Sequence, residues 1–209
     1  MSVNFCARAV TERLEVRLRA EPSLATTLAA EHVAIDFDRT TYVGRIEAES
    51  HARPLSPAVL ARVDELEAQH ATCWRSLAEQ SIERRDMDDT IELHRAYNGL
   101  SWGWATTDAA QLLFDDDGGS ALGDDVGYGP ARLLSNREVS TAIAAIEKID
   151  LATFAARFRD GYAAAVGGGA TSLLAEYEDF AHVIPAFQRL VAYLGDARIA
   201  SRALLVWFE

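Results

Sequence analysis

The chain has 209 residues, 49% of them hydrophobic and 25% charged, with a formal net charge of -12. A chain of this length can bury roughly 70% of its unfolded surface as one domain, so stability requires no disulfide or metal staple. The negative charge argues against nucleic acid and anionic membrane surfaces as partners, because both repel an acidic field.

No stretch approaches the ~18 consecutive apolar residues needed to cross a bilayer. The first ten residues lack a basic region followed by an apolar run, so no signal peptide is read and a cytoplasmic location is expected. Cys6 and Cys73 lie far apart with no C-x-x-C spacing, which reads as two free thiols in a reducing compartment.

Residues 2–10 alternate apolar and polar around Val3, Phe5, Ala7 and Ala9, predicting a half-buried strand. Thr11 can cap a helix to about Ala20, with Leu14 and Leu18 one turn apart, and a second short helix is expected from Leu24 to Glu31. Val33, Ile35 and Phe37 then alternate with Ala34, Asp36 and Asp38. Residues 41–47 alternate again, so a β-hairpin is expected here. Ser56-Pro57 is a helix start with serine at N-cap and proline at N1. Leu60, Val63, Leu66, His70, Cys73 and Leu77 fall on one face of that helix. It is expected to reach Arg84 or Arg85, long enough to pack against a second copy of the chain.

Asp88 and Asp89 can cap a further helix from Thr90 to about Thr106. In it Gly99 and Gly103 lie one turn apart and permit close backbone packing. Another helical turn or two is expected over residues 108–114. The stretch Gly123-Asp124-Asp125-Val126-Gly127-Tyr128-Gly129-Pro130 holds three glycines and a proline, predicting a turn rather than a helix or strand. Ser135 with Glu138 forms a capping box for the next helix, whose stripe is Val139, Ile143, Ile146 and Ile149.

Asp150 caps a helix carrying Leu151, Phe154 and Phe158, and Gly167-Gly168-Gly169 reads as a joint. The last helix places Leu173, Tyr177, Phe180, Ile184, Phe187, Val191 and Leu194 on one face. Pro185 lies inside it and should kink or divide it, and Gly195 stands at its C′ position. Residues 199–208 are apolar on both faces apart from Ser201 and Arg202, which reads as a central strand. The expected fold is α+β in a single domain, with a small mixed sheet that includes both terminal strands and is covered by several helices.

Few motifs carry chemistry. Gly99-Leu100-Ser101-Trp102-Gly103 fits the nucleophile-elbow pattern, with His182 following, but the elbow needs a strand before the serine and this segment reads as helix. Asp115-Asp116-Asp117-Gly118-Gly119 fails the calcium-loop pattern, because Ser120 and Val126 stand where glycine and glutamate belong. The histidines show no metal-ligand spacing, and no cofactor or metal is expected. His70 reads as a hydrogen-bonded histidine on an apolar stripe, and His94-Arg95 precedes Trp102 and Trp104 on an aromatic helix. Within the glycine-rich stretch, Arg132 can brace the acidic loop by pairing with Asp124 or Asp125, with Tyr128 packed beneath. Alternatively these groups line a small polar pocket over the helix after Ser135.

The run Gly-Asp-Asp-Val-Gly-Tyr-Gly-Pro-Ala-Arg-Leu-Leu-Ser at 123–135 resembles the signature of the YfbM-like family of uncharacterised bacterial proteins, a domain of unknown function (1877). Glu138-Val139 and Ala156-Arg157-Phe158 are similar too, so the likeness runs from about Leu93 to the end of the chain. The family's aromatic helix resembles Leu93 to Leu100, with departures: its usual Asp-Lys pair is His94-Arg95 here, a usual Trp is Tyr97 and a usual His is Ser101. Residues 33–86 look like an insertion relative to smaller members. The resemblance implies a compact α+β fold and brings no catalytic residue with it.

Between Asp108 and Asp125 stand six acids, Asp108, Asp115, Asp116, Asp117, Asp124 and Asp125, and no base. The first expectation is therefore a non-enzymatic acidic module that binds a protein partner, for example an antidote covering a basic toxin domain. The second is a small-molecule-binding protein or enzyme with a pocket between the 90–106 helix and the 123–135 loop, using His94, Arg95, Tyr128 and Arg132. A third is a homodimer formed through the 57–85 helix.

Overall fold

The computed structural model describes residues 4–50, 55–93, 96–115, 118–167 and 180–209. Its frame is one five-stranded sheet in the order β2-β1-β5-β4-β3, made of β1 (Phe5–Val10), β2 (Ile91–Glu92), β3 (Ser120–Asp125), β4 (Pro130–Leu134) and β5 (Ala203–Phe208). The fold is α+β with both terminal strands in the sheet, as expected, and its pairings are antiparallel throughout rather than mixed. β5 lies at the centre, with all six residues buried, which is why that segment carries no polar face.

Strand alternation divides the core in two. Phe5, Ala7 and Ala9 of β1 and Leu204, Val206 and Phe208 of β5 face one side. There they meet α6 (Ala96–Gly103), α7 (Asp108–Phe114), α8 (Asn136–Ile146), α9 (Leu151–Gly167) and α10 (Phe180–Ile199). Cys6 and Val10, with Ala203, Leu205 and Trp207, face the other side. They are covered by α1 (Glu12–Ala20), α2 (Ser23–Ala30), α3 (His32–Ile35) and α5 (Pro57–Glu79). α4 (Arg39–Ser50) adds a small cluster in which Tyr42 and Val43 pack on Phe37, Val63 and Leu66.

Several local signals hold. Thr11 accepts from Leu14 N to cap α1, Ser56 accepts from Val59 N to cap α5, and Ser135 and Glu138 form both halves of the capping box at α8. Val139, Ile143 and Ile146 are buried as the stripe requires. On α6 a Cβ at Gly103 would stand 2.0 Å from the Phe154 ring, so the α6–α9 contact demands glycine. Ser101 sits on that helix with its hydroxyl donating to Asn98 O, 3.0 Å away, so the G-x-S-x-G run is packing and not an elbow.

Five expectations need correction. Residues 33–47 form α3 and α4, not a hairpin: Val33 is 52% exposed, His32 and Ile35 are buried one turn apart, and Asp38 caps α4 by accepting from Thr41 N at 2.8 Å. The Ser56 helix stops at Glu79, not Arg84 or Arg85. There Ser81 takes a left-handed φ of 58° while Ser81 N and Ile82 N donate to Ala78 O and Leu77 O. This is a Schellman close, sealed by burial of both Ile82 and Leu77. The 90–106 segment is split, with Ile91–Glu92 pairing onto β1 as β2 before α6 begins at Ala96. The 123–135 stretch is an antiparallel hairpin of β3 and β4, with a register shift between Leu122 and Asp125 and a turn over residues 126–129. Finally, α10 runs through Pro185 and past Gly195 to Ile199, closing instead on left-handed Ser201 with Arg202 N donating to Ala197 O. Two of the three expected joint residues at 167–169, and Leu173 and Tyr177, lie outside the described residues.

Among the described residues no helix is long and apolar enough to cross a membrane.

Candidate functional site

The glycine-rich hairpin turn docks on the end of β5. Tyr128 N donates to Phe208 O at 3.1 Å and Val126 N donates to Gly129 O at 3.0 Å. A Cβ on Gly127 would lie 2.5 Å from Phe208 O, and its φ is 145°, so only glycine lets the turn approach so closely. Beyond Phe208 the ladder continues, with Asn4 N donating to Glu209 O and Glu209 N to Asn4 O. This fixes Glu209 on the same face as Trp207 and Cys6.

At this end of the sheet a cavity of about 610 Å³ opens, lined by Ala29, His32, Val33, Gly127, Tyr128 and Glu209 among others. Behind it four elements, α3, β1, β2 and the end of β5, bring polar groups together. His32 of α3 is 4% exposed. Its Nδ1 lies 2.9 Å from Ala29 O and 3.2 Å from Glu209 Oε1, and its Nε2 lies 3.4 Å from Glu92 Oε1. Glu209 Oε1 also accepts from Trp207 Nε1 at 3.0 Å and from the Cys6 thiol at 3.7 Å. The His32 and Trp207 rings meet edge-on at 5.5 Å. Burial opposes protonation of His32, but the Glu92 and Glu209 carboxylates and the Ala29 carbonyl outweigh it and raise its pKa. Burial first, then the same two carboxylates, push the Cys6 thiol far above its ordinary range. Cys73 is pushed up to about 11 by burial and by donating to Glu31. Neither cysteine is therefore an activated thiolate.

A second polar group lies further along the same face of β1. Arg8, 1% exposed, donates from Nη2 to both oxygens of Asp36 at 2.8 Å and to Thr90 Oγ1 at 2.8 Å. A cleft of about 500 Å³ beside it is lined by Asp36, Asp38, Arg39, His70, Arg84 and Asp89, among others. Burial and the neighbouring Asp36 raise the pKa of Asp89. His70 is held by Ala34 O at Nδ1, in keeping with a hydrogen-bonded histidine.

The residues singled out from sequence fall in different places. Asp115, Asp124, Asp125 and Tyr128 are exposed, and Asp124 and Asp125 end β3, the edge strand beyond β4. Arg132 is 4% exposed on the opposite face from His32. Its guanidinium donates to Leu113 O at 2.9 Å and Gly118 O at 2.8 Å, and to Asp115 O and Leu112 O, over the Phe208 ring. It braces the loop after α7 through backbone carbonyls. Tyr128 and Arg132 are not brought together: Tyr128 stands in the turn beside the His32 cavity, while Arg132 lies on the opposite face of the sheet over Phe208. His94, Arg95, Asp116 and Asp117 lie outside the described residues. Sequence reading missed Cys6, His32, Glu92 and Glu209, whose wide separation leaves no spacing to read. Arg8 did leave a signal, a charge between Ala7 and Ala9 in a strand flanked by apolar residues.

A family model described as "Domain of unknown function (DUF1877)" matches residues 56–207, which takes in the whole of the 123–135 signature. No curated protein and no solved structure matches the chain.

Proposed function

Since the chain belongs to the DUF1877 family, whose description assigns no activity, we propose from its surface that it is a non-enzymatic module binding a basic protein partner through the acidic edge at β3. The observation that carries this reading is the state of the aspartates between residues 108 and 125. Asp108, Asp115, Asp124 and Asp125 are all exposed, and none forms an ion pair among the described residues. No basic residue lies in that stretch to neutralise them. Such a surface steers a cationic partner and speeds its association more than it tightens the final complex.

The test is capture of the partner from native cells, followed by association kinetics at low and high salt. Reversing Asp115, Asp124 and Asp125 to lysine should slow association about tenfold at low salt and flatten its salt dependence. An unchanged rate would sink the proposal.

A second reading, a small-molecule-binding protein, is favoured by one specific observation: the cavity between His32, Glu209 and Tyr128 lies where the family signature meets the buried His32 and its Glu209 partner.

A further inference from the structure

Cys6 of β1, His32 of α3 and Glu209 after β5 present a sulfur, a nitrogen and a carboxylate oxygen whose ligand atoms all lie within 4.8 Å of one another. His32 Nδ1 stands 3.2 Å from Glu209 Oε1, and Cys6 Sγ stands 3.7 Å from the same oxygen. Ligands held at the usual zinc distances in a tetrahedron lie roughly 3.3–3.7 Å apart, close to these two separations, and the ion is reached when the imidazole turns Nδ1 away from Ala29 O. The other imidazole nitrogen, Nε2, faces Glu92 Oε1 at 3.4 Å, the carboxylate–histidine arrangement that orients a metal-bound imidazole. His32 and Glu209 both line the 610 Å³ cavity, which leaves room for a fourth, exchangeable ligand.

We propose that Cys6 Sγ, His32 Nδ1 and Glu209 Oε1 form a three-ligand site for a borderline-soft divalent ion of the zinc type, open on its cavity side. Thiolate with imidazole selects such an ion over calcium or magnesium, which take oxygen ligands. Without the ion, the thiol donates to Glu209 and Nδ1 donates to Ala29 O. Binding releases the thiol proton to solvent, together with the second imidazole proton when His32 is charged, leaves the imidazole neutral with its proton on Nε2, and moves no electrons. Ala29 O keeps the helix-end N–H of Glu31 as a donor, and Nε2–H remains on Glu92. The site also explains why the turn is built to press on Phe208: that contact, with the Asn4 ladder, holds Glu209 in place.

Titration of the reduced full-length chain with Co²⁺ alone tests this directly. One equivalent should give a thiolate-to-cobalt charge-transfer band in the near ultraviolet and visible bands of tetrahedral intensity, both removed by Zn²⁺. Cys6→Ser should abolish the charge-transfer band. Because Cys6 is fully buried, Glu209→Gln, at a half-exposed side chain, provides the variant whose far-ultraviolet circular dichroism should match the parent. It should lose cobalt affinity about tenfold or more, and Glu92→Gln should weaken binding by a similar factor. Cobalt binding without a sulfur band, or equal affinity in a folded Glu209→Gln variant, overturns the proposal.

Discussion

On one face of the sheet, Trp104, Phe114, Phe154 and Phe187 meet ring to ring beneath α6 to α10, with centroids 4.8–5.9 Å apart. On the other, beneath α1 to α3 and α5, Arg8 and His32 are buried among aliphatic side chains, each with a carboxylate in reach. The aromatic face is held by apolar area, and even the Trp104 indole N–H has no hydrogen-bond partner there among the described residues. The second face tolerates charge because its buried cations face carboxylates, Arg8 with Asp36 and His32 with Glu92 and Glu209, even though Arg8 Nε itself makes no hydrogen bond among the described residues. Apolar area places helices; paired charge places chemistry, and the cavities beside His32 and Arg8 lie on that second face.

Phe154→Ala should expose the first half of this contrast most strongly, costing about 3–5 kcal/mol in denaturant unfolding. Gly103→Ala alone should cost about 1–3 kcal/mol. In the Phe154→Ala background that penalty should nearly vanish, because the clash it creates is with that ring.

Asp36→Asn probes the second face. It strips the carboxylate from Arg8, buried at 1% exposure, and should cost about 3 kcal/mol. Arg8→Met combined with Asp36→Asn should cost clearly less than the sum of the two. Additive losses would show that the pair does not act as a unit.

Acid unfolding sharpens the comparison further. Burial opposes ionisation of Asp86, but Arg13 and the Glu83 N–H outweigh it and lower its pKa. A folded pKa below the unfolded value gives stability that is present above about pH 4 and lost as pH falls through the folded pKa. Asp86→Asn should therefore cost about 1–2 kcal/mol at neutral pH, and the two stability curves should converge as pH falls through the folded pKa. The smallest effect belongs to Ser201→Gly, which relieves a left-handed serine and should stabilise by about 1 kcal/mol, read as a rise in Tm.

Much of the aromatic face was legible beforehand. The stripe on α8, the glycines of α6 and the doubly apolar β5 each state a burial pattern in one segment. The other face was harder to read. Val33, Ile35 and Phe37 alternate over a run too short to separate period 2 from a helical turn. Both misjudged helix ends close on serines, Ser81 and Ser201, where glycine is the usual signal. The Cys6–His32–Glu209 group was beyond reach, because only the assembled sheet and α3 bring its members together.

The pairing of β1 with β5, residue 5 against residue 208, has a consequence for biogenesis. A nascent chain emerging from the ribosome presents β1 long before its principal neighbour, which is synthesised nearly two hundred residues later. Until then β1 has only the two-residue β2 to pair with and its other edge stays open, and closure onto β5 carries the slow kinetics of a very long loop. Completion of the sheet is thus deferred until β5 has emerged, and an earlier pause would leave β1 for chaperones to shield.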